Sequence, residues 1–355
     1  MLIFDAHLDI SMNAVEWNRD LTQPLDEIRD REALKLDYLD RGKGVLSLDE
    51  MRKGEIGLCI GTQIGRYVAP GNDLPGWHSP EIAWAHTQAQ LAWYRMMEEA
   101  GQMVQITNRD ELNSHVELWE NNPTDDLPIG YLLSLEGADS IITPAYLERA
   151  YAYGLRAIGP AHYGPGRYSP GTGCEGGLEP AARELLAEMQ RLGIVLDCTH
   201  LTDEAFWEAL ELYDGPVWAS HNNCRAIVPH QRQFSDQQII ALIEREAVIG
   251  MAFDAWMMHP GWQRSITQPY TAGVNIARIV EHVDHICQLA GNCRHVGIGS
   301  DLDGGYGREQ CPYDMETIAD MQSLAPILAE RGYAAEDVEA IMHGNWIRRL
   351  NEIWS

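Results

Sequence analysis

Positive charge is scarce in this chain. Its 355 residues carry 26 Lys plus Arg against 53 Asp plus Glu, a formal net charge of −27 with histidine neutral. A field of that sign repels phosphate backbones, so general nucleic-acid binding is excluded, while solubility and the attraction of cations are favoured. Long apolar runs are missing as well. None approaches the roughly 20 residues that a membrane helix needs, and no membrane association is expected. The opening Met1-Leu2-Ile3-Phe4-Asp5 has no basic stretch followed by an apolar core, so no signal peptide is expected either. Cysteine is present but unhelpful for cross-linking. Seven residues, Cys59, Cys174, Cys198, Cys224, Cys287, Cys293 and Cys311, form no Cys-x-x-Cys. The odd count argues against a disulfide framework and against a thiolate zinc site, and it predicts a reducing, cytoplasmic setting.

Several catalytic signatures are also missing. No Gly-x-Ser-x-Gly elbow supports a serine hydrolase, and no phosphate-binding P-loop occurs. No Gly-x-Gly-x-x-Gly follows an early strand, which weakens a dinucleotide-binding reading. Repeats, low-complexity tracts and long linkers do not occur.

What recurs is a short apolar run followed by a helical pattern. The runs Leu2 to His7, Gly57 to Ile64, Ile129 to Glu136, Leu155 to His162, Ile194 to His200, Val217 to His221, Val248 to Phe253 and His295 to Asp301 read as buried parallel strands. Helices are predicted over Pro80 to Gln102, Pro144 to Tyr153, Glu179 to Leu192, Thr202 to Leu212, Asp236 to Arg245 and Ala272 to Ala290. Two more follow, over Asp314 to Glu330 and Ala335 to Trp354. Thr202 and Ser235 stand where side chains cap helix starts. Eight strands alternating with helices predict an α/β fold, a (β/α)8 TIM barrel, with residues 1–355 forming one domain. Residues 10 to 56 are too long for a turn and predict a helical excursion after the first strand; residues 103 to 106 suit a short extra strand. A doubly wound open sheet is the alternative.

The carboxyl ends of barrel strands form the active-site face. Here they carry metal-competent side chains: His7 and Asp9, Glu136, His162, His200, His221 and Asp301. Each one alone has an ordinary explanation, such as a core histidine or a salt-bridged carboxylate. Together, at so many strand ends, they point to a metal site. Strand alternation puts His7 and Asp9 on one face. Imidazole and carboxylate without sulfur suit zinc or a similar divalent ion, and so many ligands suit two ions sharing a carboxylate. Glycines in His295-Val-Gly-Ile-Gly-Ser-Asp301 allow close backbone approach beside such a site. Asp303 reads as structural, and His282 and His285, on an outer helix, as structural or exposed.

The stretches Phe4-Asp-Ala-His-Leu-Asp9, Ser134-Leu-Glu136-Gly-Ala, Gly154 to His162, Leu196-Asp-Cys-Thr-His200, Ala219-Ser-His221 and His295 to Gly304 resemble the membrane (renal) dipeptidase family of metallopeptidases, within the amidohydrolase superfamily. The blocks keep the family's order over nearly the whole chain, ending in Gly344-Asn345-Trp-Ile-Arg-Arg. The resemblance implies a barrel holding two zinc ions and hydrolysing dipeptides. By that analogy His7, Asp9 and Glu136 hold one ion, and Glu136 bridges to a second completed by His200 and His221. A hydroxide between the ions attacks the peptide carbonyl, Asp301 shuttles the proton, and His162 stabilises the oxyanion and contacts substrate. Arg232, eleven residues past His221, matches the family's arginine for the substrate's terminal carboxylate. A homodimer is implied as well. The chain departs from the family pattern at Gln233, in the loop Tyr163 to Gly171, and at Phe253 to Met258. These departures leave open another small amide as substrate: an N-acyl amino acid, a cyclic amide or a specialised metabolite. A noncatalytic barrel that retains metal is the more distant alternative.

Overall fold

In a computed structural model describing residues 1–122 and 126–355, nine strands form one parallel sheet that curls into a barrel. They are β1 (Ile3–Leu8), β2 (Ile56–Ile64), β3 (Met103–Gln105), β4 (Ile129–Glu136), β5 (Leu155–Gly159), β6 (Val195–Asp197), β7 (Val217–Trp218), β8 (Ile249–Met251) and β9 (Val296–Ile298). Neighbours run in the order β7-β6-β5-β4-β2-β1-β9-β8. The bridge between Ala219 and Ile249 joins the two ends and closes the ring. The extra strand β3 pairs with the first three residues of β4, whereas β5 pairs with its last four. β3 therefore fills the gap that the late start of β5 leaves at the amino end of the barrel.

The interior is packed, as a barrel of this size requires. Phe4, Ala6, Leu58, Ile60, Leu132, Ala157, Val195 and Trp218 form one buried cluster with Trp346 and Leu350. Residues from six strands around a ring can meet only inside it. Trp346, on the helix Asn345–Ile353, is fully buried there and donates its indole N–H to the Ile298 carbonyl at 3.0 Å. Gly297 is required at this approach, since a Cβ would lie 2.3 Å from the indole nitrogen. The larger apolar cluster lies between strands and outer helices.

The helices differ from expectation mainly at their ends. Pro80–Glu99, Ala182–Leu192, Asp203–Leu212 and Asp236–Glu244 stand close to prediction. Thr202 and Ser235 accept from the amides of Ala205 and Gln238, as their positions suggested. The run from Ala272 is interrupted: Gly273 takes a left-handed φ of 69° and the regular helix begins only at Ile279. The helix Arg109–Asn121 was not foreseen; its buried positions, Leu112, His115 and Trp119, give a sparse signal. The excursion between β1 and β2 contains three short helices, Ile10–Val15, Leu25–Glu32 and Leu48–Lys53. No helix among the described residues is long and apolar enough to cross a membrane.

Candidate metal centre

Five of the strands stop earlier than the apolar runs suggest, and the site depends on four of them. His162, His200, His221 and Asp301 each lie three residues beyond the last residue of β5, β6, β7 and β9. Two of them, His200 with φ 68° and Asp301 with φ 60°, occupy the left-handed region. A non-glycine residue there redirects the chain just beyond the strand, a strain usually held by surrounding structure at functional positions. Glu136 is the last residue of β4, and His7 and Asp9 flank the end of β1.

All seven side chains converge at the carboxyl end of the barrel, around Glu136. Its Oε1 lies 3.2 Å from His200 Nε2 and 3.4 Å from His221 Nε2. Its Oε2 lies 3.7 Å from His7 Nε2 and 3.6 Å from His162 Nε2. His7 Nε2 is also 3.8 Å from Asp9 Oδ1 and 3.8 Å from Asp301 Oδ1. His200 and His221 face each other through Nε2 at 3.2 Å. Three residue groups have ligand atoms close enough to share an ion: His7 with Asp9 and Glu136, His7 with His221 and Asp301, and Glu136 with His162 and His200.

Outside this ring three of the histidines are oriented by hydroxyls. His221 Nδ1 meets Ser220 Oγ at 2.9 Å, His200 Nδ1 meets Thr172 Oγ1 at 2.8 Å, and His7 Nδ1 meets Ser220 and Thr62 at 3.3 and 3.5 Å. Partners of this kind fix the ring and its tautomer, leaving Nε2 for a ligand. The sequence pattern gave no sign of Thr62 or Thr172. Ser220 sits beside His221, and adjacency was its only signal.

The cluster is charged, buried and unsatisfied. His7 Nε2, Asp9 Oδ1 and Glu136 Oε1 are buried without a hydrogen-bond partner. Burial is the largest influence on every one of these groups. It pushes Asp9 up to about 7, helped by Glu16. It pushes Glu136 and Asp301 well above the usual carboxylate range, with Asp9 adding to both. It drives His7 down to about 3, and His200 and His221 well below the ordinary imidazole range. Carboxylates desolvated to this degree need a cation or a proton, and the neutral imidazoles beside them are donors of the right kind for a metal. The residues present fit a divalent ion on those grounds, and none of the three groups contains cysteine.

Arg232 is also buried at the site. One guanidinium nitrogen donates to Asn222 Oδ1 and the other to the His221 carbonyl at 2.9 Å. It lines a cavity of about 80 Å³ together with Glu136, His162, Asp254, Asp301 and Tyr306. Asp254, just beyond β8, is pushed up to about 7 by burial and accepts from Gln310 at 3.0 Å. Next to this cavity, and sharing Asp9 and His162 with it, is a vestibule of about 470 Å³ walled by Met12, Trp17, Tyr38, Ile64 and Trp77. Sequence reasoning missed Arg66 and Asp254, although each lies within two or three residues of a strand end. Asp303 is confirmed in a structural place: its carboxylate accepts from the amides of Val45 and Leu46. His282 is fully buried and His285 pairs with Asp236 at 2.7 Å, both away from the cluster.

A closed parallel barrel with a histidine–carboxylate cluster at its strand ends defines a metal-binding class of barrel. The chain belongs to the membrane dipeptidase family, Peptidase family M19, whose model matches residues 1–354. It is 29% identical to an uncharacterized dipeptidase of Schizosaccharomyces pombe over 226 residues, 62% of this chain and 52% of that protein. It is 30% identical to the dipeptidase tcpJ of Claviceps purpurea over 177 residues, 50% of this chain and 39% of that one. The chain thus spans about half the length, or less, of these two relatives. Among solved structures it resembles the dipeptidase AC, a family M19 metallo peptidase, with a TM-score of 0.78 and 24% identity over 100% of this chain and 99% of that one. It also resembles a metallo peptidase from Rhodobacter sphaeroides liganded with a phosphinate mimic of L-Ala-D-Ala. There the TM-score is 0.76 and the identity 23%, with 100% and 99% of the two chains covered. At these identities the structural likeness establishes the fold.

Proposed function

We propose that this protein is a two-metal dipeptidase. His7, Asp9 and Glu136 would hold one divalent ion, and Glu136, His200 and His221 a second. The observation that carries the reading is the position of Glu136, with one oxygen toward His7 and the other toward the His200–His221 pair. The nitrogen and oxygen donors favour zinc. When bound, two such ions supply Lewis acidity toward a carbonyl and lower the pKa of an attacking water toward neutrality. The chain's own groups do the rest. Asp301 takes the proton of the nucleophile and passes it to the leaving amine; its buried, upward-shifted carboxyl suits a proton carrier. His162 donates an N–H to the carbonyl oxygen as negative charge develops. Arg232, braced by Asn222 and the His221 carbonyl, receives the substrate's terminal carboxylate with its remaining N–H groups. Met12, Trp17, Ile64 and Trp77 give the vestibule an apolar side that suits a bulky first side chain, with Glu16, Arg66 and Arg264 also lining it.

A second reading keeps the metals and changes the substrate to another small amide. It is favoured by Trp256 and Met257, which line the cavity together with Arg232. A reducing, cytoplasmic setting rests on the sequence, whose seven cysteines are odd in number and form no Cys-x-x-Cys. The insertion of Trp346 into the barrel interior supports reading residues 1–355 as one domain. Homodimer assembly rests on family resemblance.

The test pairs metal analysis of purified protein with hydrolysis of a dipeptide library and an N-acyl amino acid panel. We expect about two zinc per chain and turnover of dipeptides, best with a large apolar first residue. Turnover of the amide panel alone would replace the dipeptidase reading with the second one. Metal without turnover of either set would leave a metal-retaining barrel. A chain that takes up no metal after reconstitution would overturn the site itself.

A further inference from the structure

We propose that Arg66 is a positioning residue that makes His162 a hydrogen-bond donor and keeps it out of the metal's ligand set. The inference rests on the reaction proposed above and adds a residue to it. Arg66 lies two positions beyond β2, on the loop that forms one wall of the vestibule. One guanidinium nitrogen donates to the Pro75 carbonyl at 2.8 Å, and the other lies 2.6 Å from His162 Nδ1.

Guanidinium has five N–H donors and no acceptor. His162 Nδ1 must therefore offer its lone pair to Arg66. In the neutral ring the single proton then sits on Nε2. That nitrogen points into the cluster, 3.6 Å from Glu136 Oε2. What His162 shows the reaction centre is an N–H.

The other histidines are held differently. His7, His200 and His221 face Ser220, Thr172 and Thr62 through Nδ1. A hydroxyl can accept from Nδ1–H, which leaves the Nε2 lone pair free for a cation. His162 lies close enough to Glu136 and His200 to count as a third ligand on distance alone. Chemistry separates it from them: a donor-only neighbour on one ring and amphoteric neighbours on the other three. For His162 to coordinate through Nε2, its Nδ1–H would have to face an arginine N–H head to head. Arg66 also ties the vestibule loop to the donor through Pro75, so loop and donor are placed together.

The test uses the zinc-loaded full chain with ¹⁵N-labelled histidine at neutral pH, the His162 resonances being assigned with His162→Asn. A long-range ¹H–¹⁵N spectrum should show His162 protonated on Nε2, and His7, His200 and His221 protonated on Nδ1. Arg66→Met keeps the side chain's bulk and removes its donors. It should abolish the single tautomer of His162 and lower kcat about 10- to 100-fold, the range for loss of an orienting partner, with KM and metal content little changed. Arg66→Lys restores a donor and should recover part of kcat. An Nδ1-protonated His162 in the wild-type chain would overturn the proposal, as would wild-type kcat in Arg66→Met. If the wild type cleaves no dipeptide, the spectrum still decides: Nε2–H upholds the role of Arg66 while the proposed reaction falls, and Nδ1–H removes this inference.

Discussion

Two clusters of buried charge lie at the same end of this barrel, and they are built in opposite ways. In the excursion after β1, Arg19 pairs with Glu32 at 3.0 Å and with Asp40 at 2.8 Å, and stands 3.8 Å from Asp303. Arg41 bonds Glu32 and the Trp17 carbonyl, while Trp17 donates its indole N–H to Asp40 at 2.9 Å. Asp303 accepts two backbone amides as well. Every charge in that network has an opposite charge or a donor from the chain itself. Around Glu136 the count fails: carboxylates gather with neutral imidazoles, and three ligand atoms have no partner. A buried polar group without a partner is costly, so a folded chain keeps such a group where something else completes it. The satisfied network anchors the excursion against the loop after β9. The unsatisfied one brings together groups that could hold an ion.

Breaking the unsatisfied cluster should have the larger functional effect. His200→Ala or His221→Ala removes a nitrogen from the Glu136 Oε1 side. Metal per chain should fall, and activity should drop by more than the ~10²- to 10³-fold typical of losing one oxyanion-hole donor. The fold should persist, since hydroxyl-supported rings at the barrel mouth contribute little to the apolar interior. Inductively coupled plasma analysis and circular dichroism on one sample check both halves. A variant retaining full metal and full activity would contradict the reading.

Breaking the satisfied network should reverse that pattern. Arg19→Met leaves Glu32, Asp40 and Asp303 buried with too few partners, and removing one member of a buried ion pair costs about 3–5 kcal/mol. Denaturant unfolding should show that loss of stability, while protein that remains folded keeps its metal. If Arg19→Met instead lost metal at unchanged stability, the two clusters would be coupled and the contrast would fail.

The two clusters also differ in how far they could be read from sequence. The convergence around Glu136 was legible because barrel topology gathers strand ends: a polar residue closing an apolar run points to the active-site face. His7, Asp9, Glu136, His162, His200, His221 and Asp301 all followed that rule. The salt-bridge network was not legible, since Arg19, Glu32, Asp40 and Asp303 are joined by a chain excursion with no period. Hydroxyl partners such as Thr172 were hidden for the same reason. Thr172 reaches His200 across 28 residues, through a loop whose path depends on tertiary packing. Arg66 closes no apolar run of its own and reads as an ordinary loop arginine until His162 is placed beside it.

The smallest effect marks the limit of the comparison. His282, on the helix Ile279–Ala290, is fully buried, with Nδ1 accepting the Cys224 amide at 3.0 Å and Nε2 without a partner. One unpartnered nitrogen in isolation makes no site; here it only makes an imidazole that resists protonation. Burial, with Arg278 and His285 adding to it, depresses its pKa to about 3 against an ordinary value of 6.5. The sign follows from linkage: below pH 6.5 the unfolded chain gains a proton at this position that the folded chain does not, so stability falls as pH drops from about 6.5 toward 3. Each pH unit in that window is worth up to about 1.4 kcal/mol. His282→Gln retains an acceptor for the Cys224 amide and does not titrate. Unfolding free energies measured at pH 7 and pH 5 should therefore fall by about 1–2 kcal/mol more in the wild type than in the variant. Equal losses in the two proteins would mean that His282 takes up its proton in the folded state, and that its unpartnered nitrogen is within reach of water.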